Sequence, residues 1–231
     1  TNWVAVNTDL TNPGVLALVI NPITPSTLYA GTIGGGVFIT TNSGGNWVAV
    51  NNGLTDLEVL ALAINPNTPS TVYGGTRTAG VFRTDNSGGT GNLRSTGLPG
   101  ISVNSPVQVR ALAVDPVLLS TLYAGLDSGG VYRTPDGGNN WVSRNTDLTA
   151  SRIQALAIDP TRTNTIYAGT DSTAVYKSTD GGDNFSASNQ GMQNDNVQAL
   201  VIDSNNTNVL YAGTRARSVQ STVSGGSPWT P

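Results

Sequence analysis

The 231 residues include 11 basic and 14 acidic side chains, giving a net charge of −3 with only 11 % charged residues. No basic field is therefore available to gather nucleic-acid phosphates or an anionic membrane surface. There is no cysteine and no histidine, which removes disulfides, thiolate metal sites and the commonest general base.

No apolar run approaches the about 18 residues of a membrane span, and no signal-peptide pattern opens the sequence. Solubility rests on Gly, Ser, Thr and Asn, as in many secreted modules, so the expectation is a soluble extracellular or periplasmic domain. The chain begins with Asn2-Trp3-Val4-Ala5-Val6-Asn7, nearly repeated as Asn46-Trp47-Val48-Ala49-Val50-Asn51. Between them lie three further runs rich in β-branched and aromatic residues, bounded by Gly, Pro, Asn and Ser. They predict strands over residues 15–20, 27–32 and 37–41, with residues 46–51 as a fourth.

The second run, Leu28-Tyr-Ala-Gly-Thr, returns with small changes at Val72, Leu122, Ile166 and Leu210, spaced 44, 50, 44 and 44 residues apart. Each copy keeps the same order of apolar run, Asn/Asp-Pro turn, Tyr-Gly run, Gly-rich turn, aromatic run and Gly-Gly turn. Four short strands per repeat of about 44 residues point to an all-β five-bladed propeller of four-stranded antiparallel blades. The blades fall at about 15–51, 59–96, 107–145, 153–189 and 197–222. The first strand of each is apolar on both faces, as suits a strand covered on both sides. Residues 1–7 are then an orphan fourth strand, expected to complete the last blade and close the ring, with 223–231 a displaced tail. Trp229 competes for that place, but Pro228 and Pro231 argue against it.

The hairpins after the third strand read Thr40-Thr-Asn-Ser-Gly-Gly-Asn-Trp47, Thr134-Pro-Asp-Gly-Gly-Asn-Asn-Trp141 and Ser178-Thr-Asp-Gly-Gly-Asp-Asn-Phe185. They resemble Asp-box (BNR) repeats, S/T-x-D/N-x-G-x-x-W/F, of sialidases, sortilin-type receptors, xyloglucan hydrolases and photosystem II assembly-factor propellers. Two copies depart from the pattern: residues 84–93 read as two residues longer with Leu93 for Trp, and residues 221–229 place Val223 where Asp belongs. In those families the box is a folding device remote from the active site, so the resemblance implies architecture rather than activity. The residues agree: Asn42, Asp136 and Asp180 can accept turn amides while Trp47, Trp141 and Phe185 pack beneath.

The two loop faces differ in character. Asn21-Pro22, Asn65-Pro66, Asp115-Pro116 and Asp159-Pro160 repeat as turn-formers and read as scaffold. The loops after the second strand vary, with Ile33, Arg77, Asp127, Asp171 and the Arg215/Arg217 pair at matching places, and Glu58, Arg152 and Asp195 join them. Such variation suits a grafted site or free drift of exposed loops. The third repeat adds a segment over residues 98–106, where Ile101 and Val103 can contact a partner or pack on a blade. Tyr29, Tyr73, Tyr123, Tyr167 and Tyr211 hold one register and read as interblade core rather than as sugar platforms.

A glycosidase needs two facing carboxylates, and Asp127 with Asp171 is the one pair to nominate. Their flanking residues carry no acid/base signature. The expectation is a non-catalytic recognition or scaffold module, monomeric and without metal or cofactor, presenting its variable loop face to a protein partner. A glycan-binding propeller is the alternative, and a glycoside hydrolase the third reading.

Overall fold

The computed structural model describes residues 2–100, 108–192, 195–216 and 218–231. Among them there is no helix, and 19 short strands form five antiparallel sheets. The fold class is the expected one, all-β with the five blades of a β-propeller. The chain divides into two compact units, one of Thr1–Ser95 with Gly100–Val109 and one of Thr96–Pro99 with Arg110–Pro231.

Unit 1 contains two blades. The first is β1 (Val15–Ile20), β2 (Leu28–Thr32), β3 (Gly36–Thr40) and β4 (Val48–Ala49); the second is β5 (Val59–Ile64), β6 (Val72–Thr76), β7 (Val81–Thr84) and β8 (Asn92–Leu93). Unit 2 holds the rest. Its first blade is β9 (Val109–Val114), β10 (Leu122–Leu126), β11 (Val131–Thr134) and β12 (Val142–Ser143). Next comes β13 (Ile153–Ile158), β14 (Ile166–Thr170), β15 (Val175–Ser178) and β16 (Ser186–Ala187). The last has β17 (Val197–Ile202), β18 (Leu210–Thr214) and β19 (Ser218–Thr222). The fourth strands are much shorter than expected, two residues rather than six.

The Asn/Asp-Pro turns behave as their chemistry requires. Asn21 Oδ1 accepts the amides of Ile23 and Thr24 at 2.9 and 3.0 Å, and Asn65, Asp115 and Asp159 repeat the arrangement. Each side chain thereby ends one strand and sets up the return of the next.

Within each unit, consecutive blades meet at one repeated seam. The glycine of the Tyr-Ala-Gly run lies against the first residue of the following blade. A Cβ at Gly31 would sit 2.8 Å from Val59, one at Gly125 2.6 Å from Ile153, and one at Gly169 2.7 Å from Val197. Those three residues are fully buried. The neighbouring tyrosine is buried as well, and its hydroxyl reaches the next blade's hairpin. Tyr123 donates to the carbonyl of Gly181 at 3.0 Å and Tyr167 to that of Gly225 at 2.8 Å, while Tyr29 meets Ser87. Burial pushes the Tyr167 phenol up to about 12, so these hydroxyls remain donors across the whole working pH range. The expected interblade role of the tyrosines holds for Tyr29, Tyr123 and Tyr167; Tyr73 is buried, whereas Tyr211 is half-exposed.

The expectation that every first strand is covered on both faces fails for β1. Leu18 is 60 % exposed where its counterpart Leu62 is 8 % exposed. In the last blade Val201 and Val219 are likewise exposed.

Closure by the N-terminal strand is also corrected. Residues 2–7 form no strand, and Trp3 is fully exposed. The segment instead lies along the first blade's own hairpin, where the carbonyls of Val6 and Thr8 accept the indole N–H and the backbone N–H of Trp47. Residues 7–10 there match residues 51–54 beside the second blade: Leu10 donates to Asn7 as Leu54 does to Asn51. The fourth place of the last blade is taken by the presumed tail. Thr230 and Ser221 exchange both backbone bonds, at 2.7 and 2.8 Å, and Trp229 is buried beside them. The prolines do not obstruct this, because the ladder uses the N–H and C=O of Thr230, which lies between Pro228 and Pro231.

The seam makes a differential prediction. Gly125→Ala forces a methyl into Ile153 and should cost about 1–3 kcal/mol in urea unfolding, as overpacking does. Gly213→Ala, whose Cβ meets nothing closer than Ala199 at 3.6 Å, should leave stability unchanged or slightly raised. Equal effects at the two positions would contradict the seam.

Candidate functional site

The variable loops are built on a constant backbone pairing. In the first, second and last blades the residue before the first strand faces the residue after the second. Ile33 N–H donates to Gly14, Arg77 to Glu58 and Arg215 to Asn196, at 2.9, 3.0 and 2.9 Å. The fold therefore fixes the position, and the side chain is free to vary. In unit 1 the second blade uses the pair for an ion pair, Arg77 to Glu58 at 2.8 Å. Asp56 reinforces the same loop by accepting the amide and hydroxyl of Thr78 at 2.6 and 2.7 Å and the amide of Glu58 at 3.0 Å. Burial raises the Asp56 carboxyl, but those bonds outweigh it and hold the group below its ordinary value.

Unit 2 carries the densest charge cluster on this face. Arg152 lies between the two nominated carboxylates, its Nε 3.0 Å from Asp127 and its Nη1 3.2 Å from Asp171. Arg110, on β9, makes a second ion pair with Asp127. The four side chains form a partly exposed row of alternating sign. Asp127 and Asp171 thus meet through Arg152. Close to Asp127 lies a shallow depression of about 220 Å³ lined by Gly129, Gly130, Asn145, Leu148, Thr149, Ala150 and Ser151. The Asn145 amide group shapes its edge, donating to Gly129 at 2.6 Å and accepting from Val131 at 2.7 Å.

Asp195 is buried, Arg215 is exposed, and Arg217, Ile101 and Val103 lie outside the described residues. Among the described residues no group of three or more acidic side chains gathers as a metal site would require. Two contributors escaped the sequence reading, Arg110 and Asp56. Arg110 had a signal, being a lone charge where the other first strands carry Leu16, Leu60, Gln154 and Gln198.

The opposite loops carry the hairpins. The hydroxyls of Thr40, Thr84, Thr134 and Ser178 donate to Asn42, Asn86, Asp136 and Asp180 at 2.7–2.8 Å. The same Oδ1 accepts the amide four residues on, in Asn46, Thr90, Asn140 and Asn184, at 2.8–3.0 Å. Trp47, Trp141 and Phe185 are buried beneath.

Strand pairing corrects the register of the two irregular copies. Phe82 pairs with Leu93 as Phe38 pairs with Ala49, so residues 84–91 contain no insertion and Gly91 holds the aromatic position. Leu210 pairs with Thr222 as Ile166 pairs with Ser178, so Ser224, not Val223, stands in the Asp place.

Burial raises the Asp136 carboxyl, but hydrogen bonds from Thr134, Asn140 and Asn139 together outweigh it and bring it down to about 2. Bonds from Asn184 and Ser178 hold Asp180 at about 2 as well. A folded value below the unfolded one means stability that is complete above pH about 4 and lost as pH falls towards 2. Replacing both by Asn, which Asn42 and Asn86 show the turn accepts, should flatten the acid limb of an unfolding-midpoint profile between pH 4 and 2. An unchanged limb would show that these turns do not set it.

Among the described residues no helix is long and apolar enough to cross a membrane. No family model matches the chain, and no curated protein matches it in sequence. Solved structures do match in fold. An ancestral GH74 enzyme superposes with a TM-score of 0.74 at 20 % identity, over 100 % of this chain and 32 % of its own. The GH74 enzyme of Niastella koreensis gives 0.75 at 22 % identity, over 95 % of this chain and 37 % of its own. The extracellular domain of a putative one-component system from B. thetaiotaomicron gives 0.68 at 18 %, over 90 % of this chain and 27 % of its own. The chain therefore spans about a third of the structures it resembles, and the likeness establishes a propeller fold.

Proposed function

We propose that this chain is a secreted recognition propeller of the Asp-box type. Its variable loop face, centred in unit 2 on Arg110, Asp127, Arg152 and Asp171, engages a protein partner and carries out no reaction. The observation that supports this most is the position of Arg152. A guanidinium within 3.0 and 3.2 Å of the two carboxylates occupies the space a glycosidic oxygen would have to enter. A partly exposed row of alternating charge instead suits steering and register at a protein interface. The contrast between capped turns on one face and varied loops on the other supports the same reading.

Glycan binding is the second reading, favoured by the shallow depression at Gly129 and Ser151 and by the fold shared with GH74 enzymes.

The experiment selects phage-displayed random peptides on the wild-type chain and counter-selects on an Arg152→Ala/Asp171→Ala variant. These pairs are partly exposed, so the variant should lose no more than about 1 kcal/mol of stability. Enriched peptides should bind the variant at least about tenfold more weakly, the loss expected when charge pairs at an interface are removed. In parallel, a glycan array and a reducing-end assay on xyloglucan should both stay silent. Array binding without peptide enrichment would favour the lectin reading. Sugar release abolished by Asp127→Asn or Asp171→Asn would overturn the proposal.

A further inference from the structure

The corrected register of the second hairpin exposes a gap in the repeat. Trp47, Trp141, Phe185 and Trp229 all bury a ring at one position, and the second blade has Gly91 there. The backbone is in place without the ring: Gly91 N–H donates to Asn52 at 2.7 Å, as Trp47 donates to Thr8 at 2.9 Å and Trp229 to Gln190 at 2.8 Å. A second deletion faces the same space. The position held by Ala30, Ala124, Ala168 and Ala212 in the other blades is Gly74 in this one.

The space has not collapsed. It is a half-open hollow within unit 1, about 410 Å³ of empty space when its open mouth is counted. Its walls include Val50, Leu54, Val72 and Phe82 together with Gly74 and Gly91. Leu54, Val72 and Phe82 are the counterparts of Leu10, Leu28 and Phe38, which surround Trp47 in the first blade. One polar feature is also preserved. The indole N–H of Trp47 donates to the carbonyl of Val6 at 2.8 Å and that of Trp229 to Ser188 at 2.7 Å; the matching carbonyl in the second blade belongs to Val50.

We propose that this hollow is a binding site for an indole group supplied from outside the chain. The ring lies in the place of the missing tryptophan, against Leu54, Val72 and Phe82, and its N–H donates to the Val50 carbonyl. Apolar cavities left by a missing side chain stay dry and accept aromatic guests, because the lining regains the contacts it lacks. The polar acceptor adds direction, so indole is preferred to a plain hydrocarbon ring.

Gly91 also supplies a way to close the site. A Cβ there meets nothing nearer than the Asn52 carbonyl at 3.4 Å, and the residue is not among those with a positive φ. Gly91→Trp and Gly91→Phe should fill the hollow from within.

The test is thermal unfolding and two-dimensional NMR of the whole chain with indole, 1-methylindole and N-acetyltryptophan amide. Indole at ten times its dissociation constant should raise the midpoint by about 3–6 °C and shift the amides of Gly91 and Val50. Loss of the N–H donor should weaken 1-methylindole about three- to tenfold. Both Gly91 variants should raise the midpoint without ligand and abolish the indole response. Binding of the tryptophan amide would identify a partner's side chain as a possible source of the indole, and binding of indole alone a free small molecule. The proposal is overturned if none of the three binds, or if indole still binds Gly91→Trp with unchanged affinity.

Discussion

Everything in this fold depends on how closely one blade can approach the next. A glycine in the second strand lets the first residue of the following blade lie against bare backbone, and the tyrosine two residues earlier then reaches that blade's hairpin. At Gly125 and Ile153 a single methyl would remove the fit. The same approach brings Tyr123 within hydrogen-bonding range of Gly181 and gathers Val131, Ile153, Ile166 and Phe185 into one core. Each blade is too thin to bury its own apolar faces, so the seam supplies most of the burial a blade obtains. Leu18 of β1, 60 % exposed where Leu62 of β5 is covered, shows what a first strand looks like on a face that no other blade of its unit packs against.

A constant seam leaves one loop face free to vary. The capped turns and the hairpins repeat because they hold the strands and the joint. In three blades the loops after the second strand hang from a fixed backbone pair, and the side chains differ: Ile33 opposite Gly14, Arg77 opposite Glu58, Arg215 opposite Asn196. The proposed recognition role rests on this division. The same division explains how a hollow can arise at Gly91, where the backbone bond to Asn52 survives without the ring.

The repeat made the fold legible, because strand period, turn chemistry and spacing all agreed. Its failures have physical causes. Residues 2–7 copy residues 46–51, and the copy correctly identifies a local element; identity of sequence does not say which neighbour the element serves. Sequence alone sets Leu93 in the place of Trp47, whereas pairing with Phe82 puts Gly91 there. At the loop face Asp127 and Asp171 were legible as a pair, since equivalent positions lie side by side. Arg152 and Arg110 were not joined to them, because those contacts run between loops and strands that sequence distance separates. Arg110 was nonetheless visible as a charge in an otherwise uncharged strand position.

The seam is tested most directly by removing the tyrosine hydroxyls that cross it. Tyr123→Phe and Tyr167→Phe each delete one buried donor and leave a carbonyl, Gly181 or Gly225, without it. Denaturant unfolding should show a loss of about 1 kcal/mol for each, roughly additive in the double variant, and no loss for Tyr211→Phe at the half-exposed position. Equal stability of all three variants and the wild type would contradict the account.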